Sequence, residues 1–160
     1  KFKFKECDIV ALCRNVIDMV EKIKQTQAEV RFSTSLSSLK LTTDSARLQQ
    51  VLINLLINAT KFTTQGTITL ELIKQTEDTA LFSVSDTGCG ISKENQNKIF
   101  NRFEKLDENA QGTGLGLSIC QLIIEQLGGK IWIDPGYDKG ARFLFTHPLR
   151  QGQIKEEETR

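Results

Sequence analysis

Apolar residues recur along this chain with two different periods, and the period separates predicted helices from predicted strands. A period near 3.6 residues predicts three helices. The first begins after the N-cap Asp8 and ends near Gln25, and the second begins after the N-cap Asp44 and ends at Phe62. The third covers Leu115–Leu127 and is ended by Gly128 and Gly129. Alternating apolar and polar residues predict a short edge strand at Phe2 and Phe4 and strands over Val30–Ser35, Leu39–Thr42, Thr67–Ile73, Ala80–Asp86, Lys130–Asp134 and Ala141–Thr146.

This order of elements predicts the fold class. Helices together with several antiparallel strands indicate an α+β fold, in which one sheet is covered on one face by helices. A chain of 160 residues suits a single hydrophobic core, so residues 1–150 are expected to form one domain. Residues 151–160 are charged and almost free of apolar side chains, and a solvated tail or linker is expected there.

Composition narrows the classes of function. The net charge is +1 with no dense basic patch, so nucleic acid is not an expected partner. No apolar run approaches the roughly 18 residues that cross a bilayer, and the first residues lack the apolar core of a secretory signal, so no direct membrane contact is expected. The four cysteines form no C-x-x-C pair and there is one histidine, which argues against a zinc site and favours a reducing, cytoplasmic location.

The second predicted helix has a polar stripe between two apolar flanks. At about 100° per residue, Asn54, Asn58 and Lys61 fall in one line with Arg47 and Gln50. A helix that is apolar on both sides of such a line is largely buried, and amides buried without partners cost roughly 1–3 kcal/mol each. A bound ligand would satisfy these groups, and protein or water would do so equally well, so the residues alone leave both interpretations open.

Asp86 is the second candidate. Its side chain points to the same face of the predicted strand as Phe82 and Val84, and therefore towards the core. A buried carboxylate needs a hydrogen-bond donor, which a ligand amine can provide. The alternative is a carboxylate that caps the following turn, which is the commoner role of aspartate before glycine.

Two glycine clusters follow. Gly88 and Gly90 come directly after Asp86, and Gly112, Gly114 and Gly116 open the third predicted helix. Glycine allows a backbone to approach a ligand closely, and the amides at a helix N-terminus favour phosphate. Neither cluster matches the dinucleotide fingerprint or the P-loop, so those two kinds of site are not supported.

The segment between the glycine clusters is the third candidate. About twenty residues without a strong regular pattern are uncommon inside a compact domain, and such segments are often lids. Ile99, Phe100 and Phe103 have the spacing of one short helix. Cationic side chains here can reach anionic groups or simply remain surface charges; they are Lys98, Arg102 and Lys105.

Four ordered motifs in this chain resemble the N, G1, F and G2 boxes of two-component sensor histidine kinases. They are residues 54–62 (NLLINATKF), 86–90 (DTGCG), 99–103 (IFNRF) and 112–117 (GTGLGL). The resemblance covers nearly the whole chain and is to the catalytic, ATP-binding domain of these kinases. It places the chain in the superfamily of DNA gyrase, heat-shock chaperone and mismatch-repair ATPases. The implied architecture is the Bergerat-type ATP-binding fold, a two-layer α/β sandwich whose mixed, mainly antiparallel sheet is covered by three helices.

The resemblance implies a role for each matching residue. Asp86 would accept a hydrogen bond from the adenine amino group, and Asn58, supported by Asn54, would coordinate a Mg²⁺ ion that arrives with the nucleotide. Lys61 would contact phosphate, and together with Asn54 and Asn58 it makes up the implied catalytic set. The other implied ATP-binding residues are Phe62, Gly88, Gly90, Ile91, Phe103, Lys105, Gly112, Thr113, Gly114, Leu115, Gly116 and Leu117. Lys105 occupies a position where many relatives have arginine. Lysine keeps the positive charge but lacks the paired N–H groups with which arginine binds a phosphate.

The implied function is phosphoryl transfer rather than rapid ATP hydrolysis. Hydrolysing branches of the superfamily have a glutamate base at the position of Asn54, and an amide cannot accept a proton. The domain would therefore transfer the γ-phosphoryl group of ATP to a histidine on a separate dimerisation and phosphotransfer hairpin of a parent kinase. A response-regulator receiver domain would be an indirect partner, and the fragment itself is expected to be monomeric.

The implied phosphoacceptor is not in this chain. The one histidine, His147, precedes Pro148 in a predicted strand and is interpreted as structural. Lys1 is therefore expected to follow the missing hairpin. Two alternatives stay open: a nucleotide-gated interaction module without transfer, and a serine-directed kinase of the anti-sigma type.

Overall fold

The computed structural model describes residues 1–100 and 113–149. The strands are β1 (Lys5–Asp8), β2 (Glu29–Thr34), β3 (Lys40–Thr43), β4 (Thr67–Thr76), β5 (Thr79–Asp86), β6 (Ile131–Ile133) and β7 (Arg142–Pro148). The helices are α1 (Ile9–Ile23), α2 (Ser45–Phe62), α3 (Lys93–Gln96) and α4 (Thr113–Gln126). Because the described part stops at Leu149, the predicted tail over residues 151–160 lies outside it and stays a prediction.

Five strands form one mixed sheet in the order β2-β4-β5-β7-β6. Strands β2 and β4 are parallel, and the other three neighbouring pairs are antiparallel. Strands β1 and β3 form a separate two-stranded antiparallel sheet. The predicted α+β class with a mixed, mainly antiparallel sheet is confirmed.

Helices cover one face of the five-stranded sheet, and α2 packs against both α1 and α4. Alternate residues of the strands face these helices, and the rings of Phe82 and Phe145 stack in the core with centroids 4.5 Å apart. Burial of this apolar layer is the main favourable contribution to folding. Helix α2, which contains both candidate asparagines, is therefore held from both sides and from the sheet beneath it.

The predicted helix caps are also present. Asp8 accepts a hydrogen bond from the Val10 N–H at 3.1 Å, and Asp44 accepts one from the Arg47 N–H at 3.2 Å. The second oxygen of Asp44 accepts the Lys3 N–H at 2.9 Å, which ties the start of the chain to the start of α2. Such caps satisfy N–H groups that have no partner within the helix.

One predicted element differs from the structure. Phe2 and Phe4 are not in a strand; their rings stack on each other at 6.3 Å and the Arg47 guanidinium lies over Phe2, while β1 begins at Lys5. A short helix, α3, lies before Ile99, and Ser92 caps it by accepting the Asn95 N–H. The helix expected around Ile99, Phe100 and Phe103 extends beyond the described residues and stays a prediction. In the part of the chain that is described, no helix is long and apolar enough to cross a membrane.

Candidate functional site

A cleft lies where α2, the end of β5, the start of α4 and the start of β7 meet. Its lining residues are Leu55, Asn58, Ala59, Phe62, Val84, Asp86, Gly90, Ile91, Leu117, Ala141 and Phe143. It contains about 390 Å³ of space free of protein atoms, including its opening to solvent. The cleft is narrow, so lining side chains must move to admit a large ligand. Asn58 and Asp86, predicted to share one site, do line the same cleft.

Asp86 is fixed at one end of the cleft by backbone groups. It is 4% exposed, and its Oδ1 accepts the Gly88 N–H at 2.9 Å and the Ala141 N–H at 3.2 Å. The Asp86 N–H donates to the Ala141 carbonyl at 2.9 Å. The carboxylate thus caps the following turn, as the simpler interpretation of the sequence expected, and it also faces the cleft, as the ligand interpretation expected.

Burial has the largest effect on the Asp86 carboxyl and raises its pKa above the ordinary value. The donating N–H groups of Gly88 and Ala141 oppose this shift because they stabilise the charged form. The Thr63 hydroxyl, which lies close to the carboxyl, also acts to lower the pKa of Asp86. Asp86 is therefore a carboxylate that would gain from a further donor.

Two glycines allow the backbone to pack closely around Asp86. A Cβ at Gly140 would lie 2.1 Å from the Asp86 carbonyl oxygen and 2.6 Å from its Oδ1. A Cβ at Gly88 would lie 2.1 Å from the Phe62 carbonyl oxygen. Gly88 was predicted from the sequence, whereas Gly140 was not, because the loop before β7 has no sequence signal that connects it with Asp86.

Tyr137 and Arg142 support Asp86 from the side of that loop. The Tyr137 hydroxyl donates to the Asp86 carbonyl at 3.0 Å, and the Arg142 guanidinium lies 4.2 Å from the Tyr137 ring centroid. Arg142 also donates to the Ser85 hydroxyl at 2.8 Å. Neither residue was predictable from the sequence, because the contacts join segments about 50 residues apart.

The residues of the polar stripe on α2 lie in different surroundings. Asn58 is half-buried and lines the cleft, whereas the Asn54 amide lies 3.8 Å from the Cys120 sulfur on α4. Lys61 is exposed and lines a separate surface depression with Ile57, Thr60 and neighbouring residues. Its implied phosphate contact, like the implied support of the metal by Asn54, stays a prediction.

The remaining predicted residues have different positions. Phe62, Gly90, Ile91 and Leu117 line the cleft. Residues 113–116 form the first turn of α4. Phe103, Lys105 and Gly112 lie outside the described residues, as does Arg102. Phe100 packs edge-on against Phe143, a cleft residue, with centroids 6.2 Å apart, and Lys98 is exposed.

A family model described as "histidine kinase-, DNA gyrase B-, and HSP90-like ATPase" matches residues 43–151, which include the whole cleft. The chain belongs to this family. It is 37% identical over 160 residues to the adaptive-response sensory kinase SasA of Parasynechococcus marenigrum, covering 97% of this chain and 42% of that protein. It is 42% identical over 123 residues to SasA of a Synechococcus strain, covering 74% of this chain and 32% of that protein. The chain thus spans less than half the length of these curated relatives.

Solved structures of family members have the same fold. The nucleotide-free catalytic domain of histidine kinase ThkA has a TM-score of 0.82 and 36% identity, covering 92% of this chain and 97% of that one. Full-length ShkA, solved in complex with AMPPNP, has a TM-score of 0.83 and 29% identity, covering 93% of this chain and 32% of that one. The predicted family and the predicted sandwich are confirmed.

The chemistry of the cleft's lining suits a flat organic ligand, such as the base of the nucleotide that the family name implies. Apolar side chains, among them Leu55, Val84 and Phe143, form its walls, while a buried carboxylate stands at one end. Apolar walls with a few fixed polar groups are typical of sites for flat organic ligands. The buried Thr63 hydroxyl lies close to the carboxyl at the same end.

The fit to a divalent metal depends on the nucleotide. Within residues 1–100 and 113–149 no group of three His, Cys, Asp or Glu side chains can hold a metal ion. Asn58 contributes one neutral amide oxygen to the cleft, and a hard cation such as Mg²⁺ needs several oxygen ligands. An ion held here would therefore take most of its ligands from phosphate and water.

His147 does not belong to the candidate site. It is fully buried, its Nδ1 donates to the Pro148 carbonyl at 2.7 Å, and its Nε2 accepts the Thr43 hydroxyl at 2.9 Å. Burial lowers the pKa of His147 below its ordinary value, so the ring is neutral at physiological pH. The interpretation of His147 as structural is confirmed by these contacts.

Proposed function

We propose that this domain binds ATP with Mg²⁺ in the cleft and serves as the catalytic part of a longer protein-histidine kinase. In that role it transfers the γ-phosphoryl group to a histidine on a separate helical hairpin. One observation carries the proposal: the buried Asp86 carboxylate and the Asn58 amide line one narrow apolar cleft. When bound, the nucleotide and its metal ion would supply the phosphoryl group and the charge that balances it.

The residues of this chain would bind and orient the nucleotide. Oδ1 of Asp86 is used by two backbone N–H groups, so Oδ2 is the oxygen that we expect to accept the adenine amino group. Leu55, Val84 and Phe143 would exclude water from the base, which strengthens that hydrogen bond. Asn58, which also lines the cleft, would face the metal-bound phosphates.

Asn54 favours transfer to a protein over transfer to water. Its amide can orient a neighbouring group but cannot remove a proton from water. In the structure it contacts Cys120, so it is held by packing between α2 and α4. We therefore expect bound ATP to survive until a better nucleophile, such as a histidine, is presented.

A surface suited to a partner helix adjoins the cleft. Ile119 and Leu122 on α4 are 41% and 45% exposed, and Leu117, on the buried side of the same helix, lines the cleft. Large apolar side chains that are exposed together often mark an interaction site. We place the histidine-bearing hairpin here. We also expect a response regulator as a downstream partner, as ThkA has been solved in complex with the response regulator TrrA.

Mixing the domain with the histidine-bearing hairpin of its parent kinase and γ-labelled ATP tests this function. Acid-labile, base-stable label should appear on the hairpin and not on the domain alone. Calorimetry on the domain should show Mg²⁺-dependent ATP binding. Binding without any label on the hairpin would instead support a nucleotide-gated interaction module, and no binding would refute the proposal.

A further inference from the structure

Cys120 on α4 makes two polar contacts with α2. Its side chain is fully buried, and its sulfur accepts the Asn54 side-chain N–H, with Nδ2 and Sγ 3.8 Å apart. The thiol itself donates to the Val51 carbonyl, with Sγ and the oxygen 4.0 Å apart. Both partners belong to one turn of α2, because Val51 precedes Asn54 by three residues. One side chain of α4 therefore bridges two polar groups of the helix that contains both candidate asparagines.

The two contacts together decide which end of the Asn54 amide faces α4. A thiol has one proton, and here that proton is directed to the Val51 carbonyl. The sulfur can then only accept, so it binds the NH₂ end of the amide and disfavours the carbonyl end. A valine at position 120 would bind neither end, and the two orientations of the amide would lose this difference.

The orientation matters because only the oxygen end of the Asn54 amide can serve a metal-bound nucleotide. Mg²⁺ and the water that it carries need oxygen acceptors, whereas an NH₂ group can only donate. Asn54 lies one turn before Asn58, whose side chain lines the cleft, and both belong to the polar stripe of α2. With Nδ2 held by the sulfur, Oδ1 is the end of the amide that does not face Cys120.

We propose that Cys120 is a positioning residue, whose thiol holds the Asn54 amide so that Oδ1 serves the water shell of the nucleotide-bound metal ion. Cys120 is not among the described residues that line the cleft, so it acts through Asn54. The packing of α4 against α2 shields the thiol from solvent and fixes its place. This inference rests on the proposed ATP site and adds a residue of α4 that sets the geometry at its metal end.

Calorimetry with Mg²⁺-ATP, and with metal-free ATP in EDTA, tests this role. Cys120→Val removes both hydrogen bonds, Cys120→Ser keeps a donor and an acceptor, and Cys13→Val makes the same change at an equally buried cysteine of α1. We expect Cys120→Val to weaken Mg²⁺-ATP about threefold, as for loss of one weak hydrogen bond, and to leave metal-free ATP unchanged. Cys120→Ser and Cys13→Val should bind both forms as the wild type does.

A double-mutant cycle with Asn54→Ala shows whether Cys120 acts through Asn54. Once the amide is absent, Cys120→Val should cause no further loss of Mg²⁺-ATP affinity. NMR of the nucleotide-free domain gives a second readout, in which the Asn54 side-chain NH₂ signal is assigned by its absence from Asn54→Ala. That signal should shift in Cys120→Val and stay in place in Cys13→Val.

Unchanged Mg²⁺-ATP affinity in Cys120→Val, or an Asn54 signal that does not move, would overturn the inference. Equal weakening with and without metal, or a further loss in the double variant, would also overturn it, because a purely structural role of Cys120 predicts both. A wild-type domain that binds no Mg²⁺-ATP would refute the proposed function and this inference with it, so the two failures are distinguishable. If valine does not fit beside α2, Cys120→Ala removes the same thiol and repeats the test.

Discussion

The two ends of the cleft are built differently. At one end, backbone groups from the loop after β5 and from the start of β7 hold Asp86, with Gly88 and Gly140 allowing the close approach. At the other end, the side chain of Asn58 on α2 lines the cleft, and the neighbouring Asn54 contacts Cys120 on α4. A backbone-held group recognises one shape, whereas side chains on packed helices can adjust. We therefore assign base recognition to the first end and phosphate and metal contact to the second.

The largest effect is expected at the backbone-held end. Asp86→Asn preserves an acceptor for Gly88 and Ala141, but it replaces Oδ2 with an amino group that opposes the adenine amino group. Loss of a charge-assisted hydrogen bond and addition of an unpaired donor should weaken ATP binding about 100-fold in calorimetry. An affinity within a few-fold of the wild type would contradict the assigned role of Asp86.

The same variant should also change how stability and ATP binding depend on pH. Because burial raises the folded-state pKa of Asp86, the folded protein binds a proton more readily than the unfolded chain, and ionised Asp86 lowers stability above that pKa. Asp86→Asn should therefore melt at or above the wild-type temperature at neutral pH. ATP binding by the wild type should weaken as the pH falls through the raised pKa of Asp86, and Asp86→Asn should lack this dependence.

Gly140→Ala tests whether the backbone at Gly140 must pack closely against Asp86. The added Cβ would meet the Asp86 carbonyl and Oδ1, so the loop before β7 must move away from the carboxylate. Urea unfolding should show a loss of about 1–3 kcal/mol, as for other overpacked sites, and ATP affinity should fall with it. Gly136→Ala is the matched control, because its Cβ would come no closer than 3.5 Å to Asp134 Oδ1. Equal stability of the two variants would show that the close approach is not needed.

Residues that lie in local sequence patterns were predictable, whereas residues whose roles depend on contacts between distant segments were not. Asp86, Gly88 and Asn58 were predictable because each lies in a local pattern that has a physical meaning on its own strand, turn or helix. Tyr137 and Gly140 were missed, since their importance comes from contacts between distant segments that only the folded sheet brings together. Asn54 and Asn58 look equivalent at a spacing of i, i+4, and the packing of α4 against α2 separates them.

Substitutions of the two asparagines test the assignment of phosphate and metal contact to α2. Asn58→Ala should weaken Mg²⁺-ATP about tenfold while leaving metal-free ATP nearly unchanged, because the amide oxygen contributes one of the ligands of a hard cation. Asn54→Ala should change ATP affinity by less, since its amide contacts Cys120 rather than the cleft. Calorimetry with and without EDTA measures both. A larger loss for Asn54→Ala than for Asn58→Ala would reverse the assignment.

The smallest effect concerns Cys89, which precedes the cleft residue Gly90. This effect can be measured without a mutation. Cys89 is exposed, whereas burial raises the pKa of Cys13 and of Cys120 to about 12 and also raises the pKa of Cys7. Only the thiolate reacts with alkylating reagents, so a maleimide should label Cys89 first. A nucleotide against Gly90 should slow this labelling a few-fold, by mass spectrometry, whereas GTP at equal concentration should protect less. Equal labelling rates with and without saturating ATP would place the nucleotide away from the Asp86 end of the cleft.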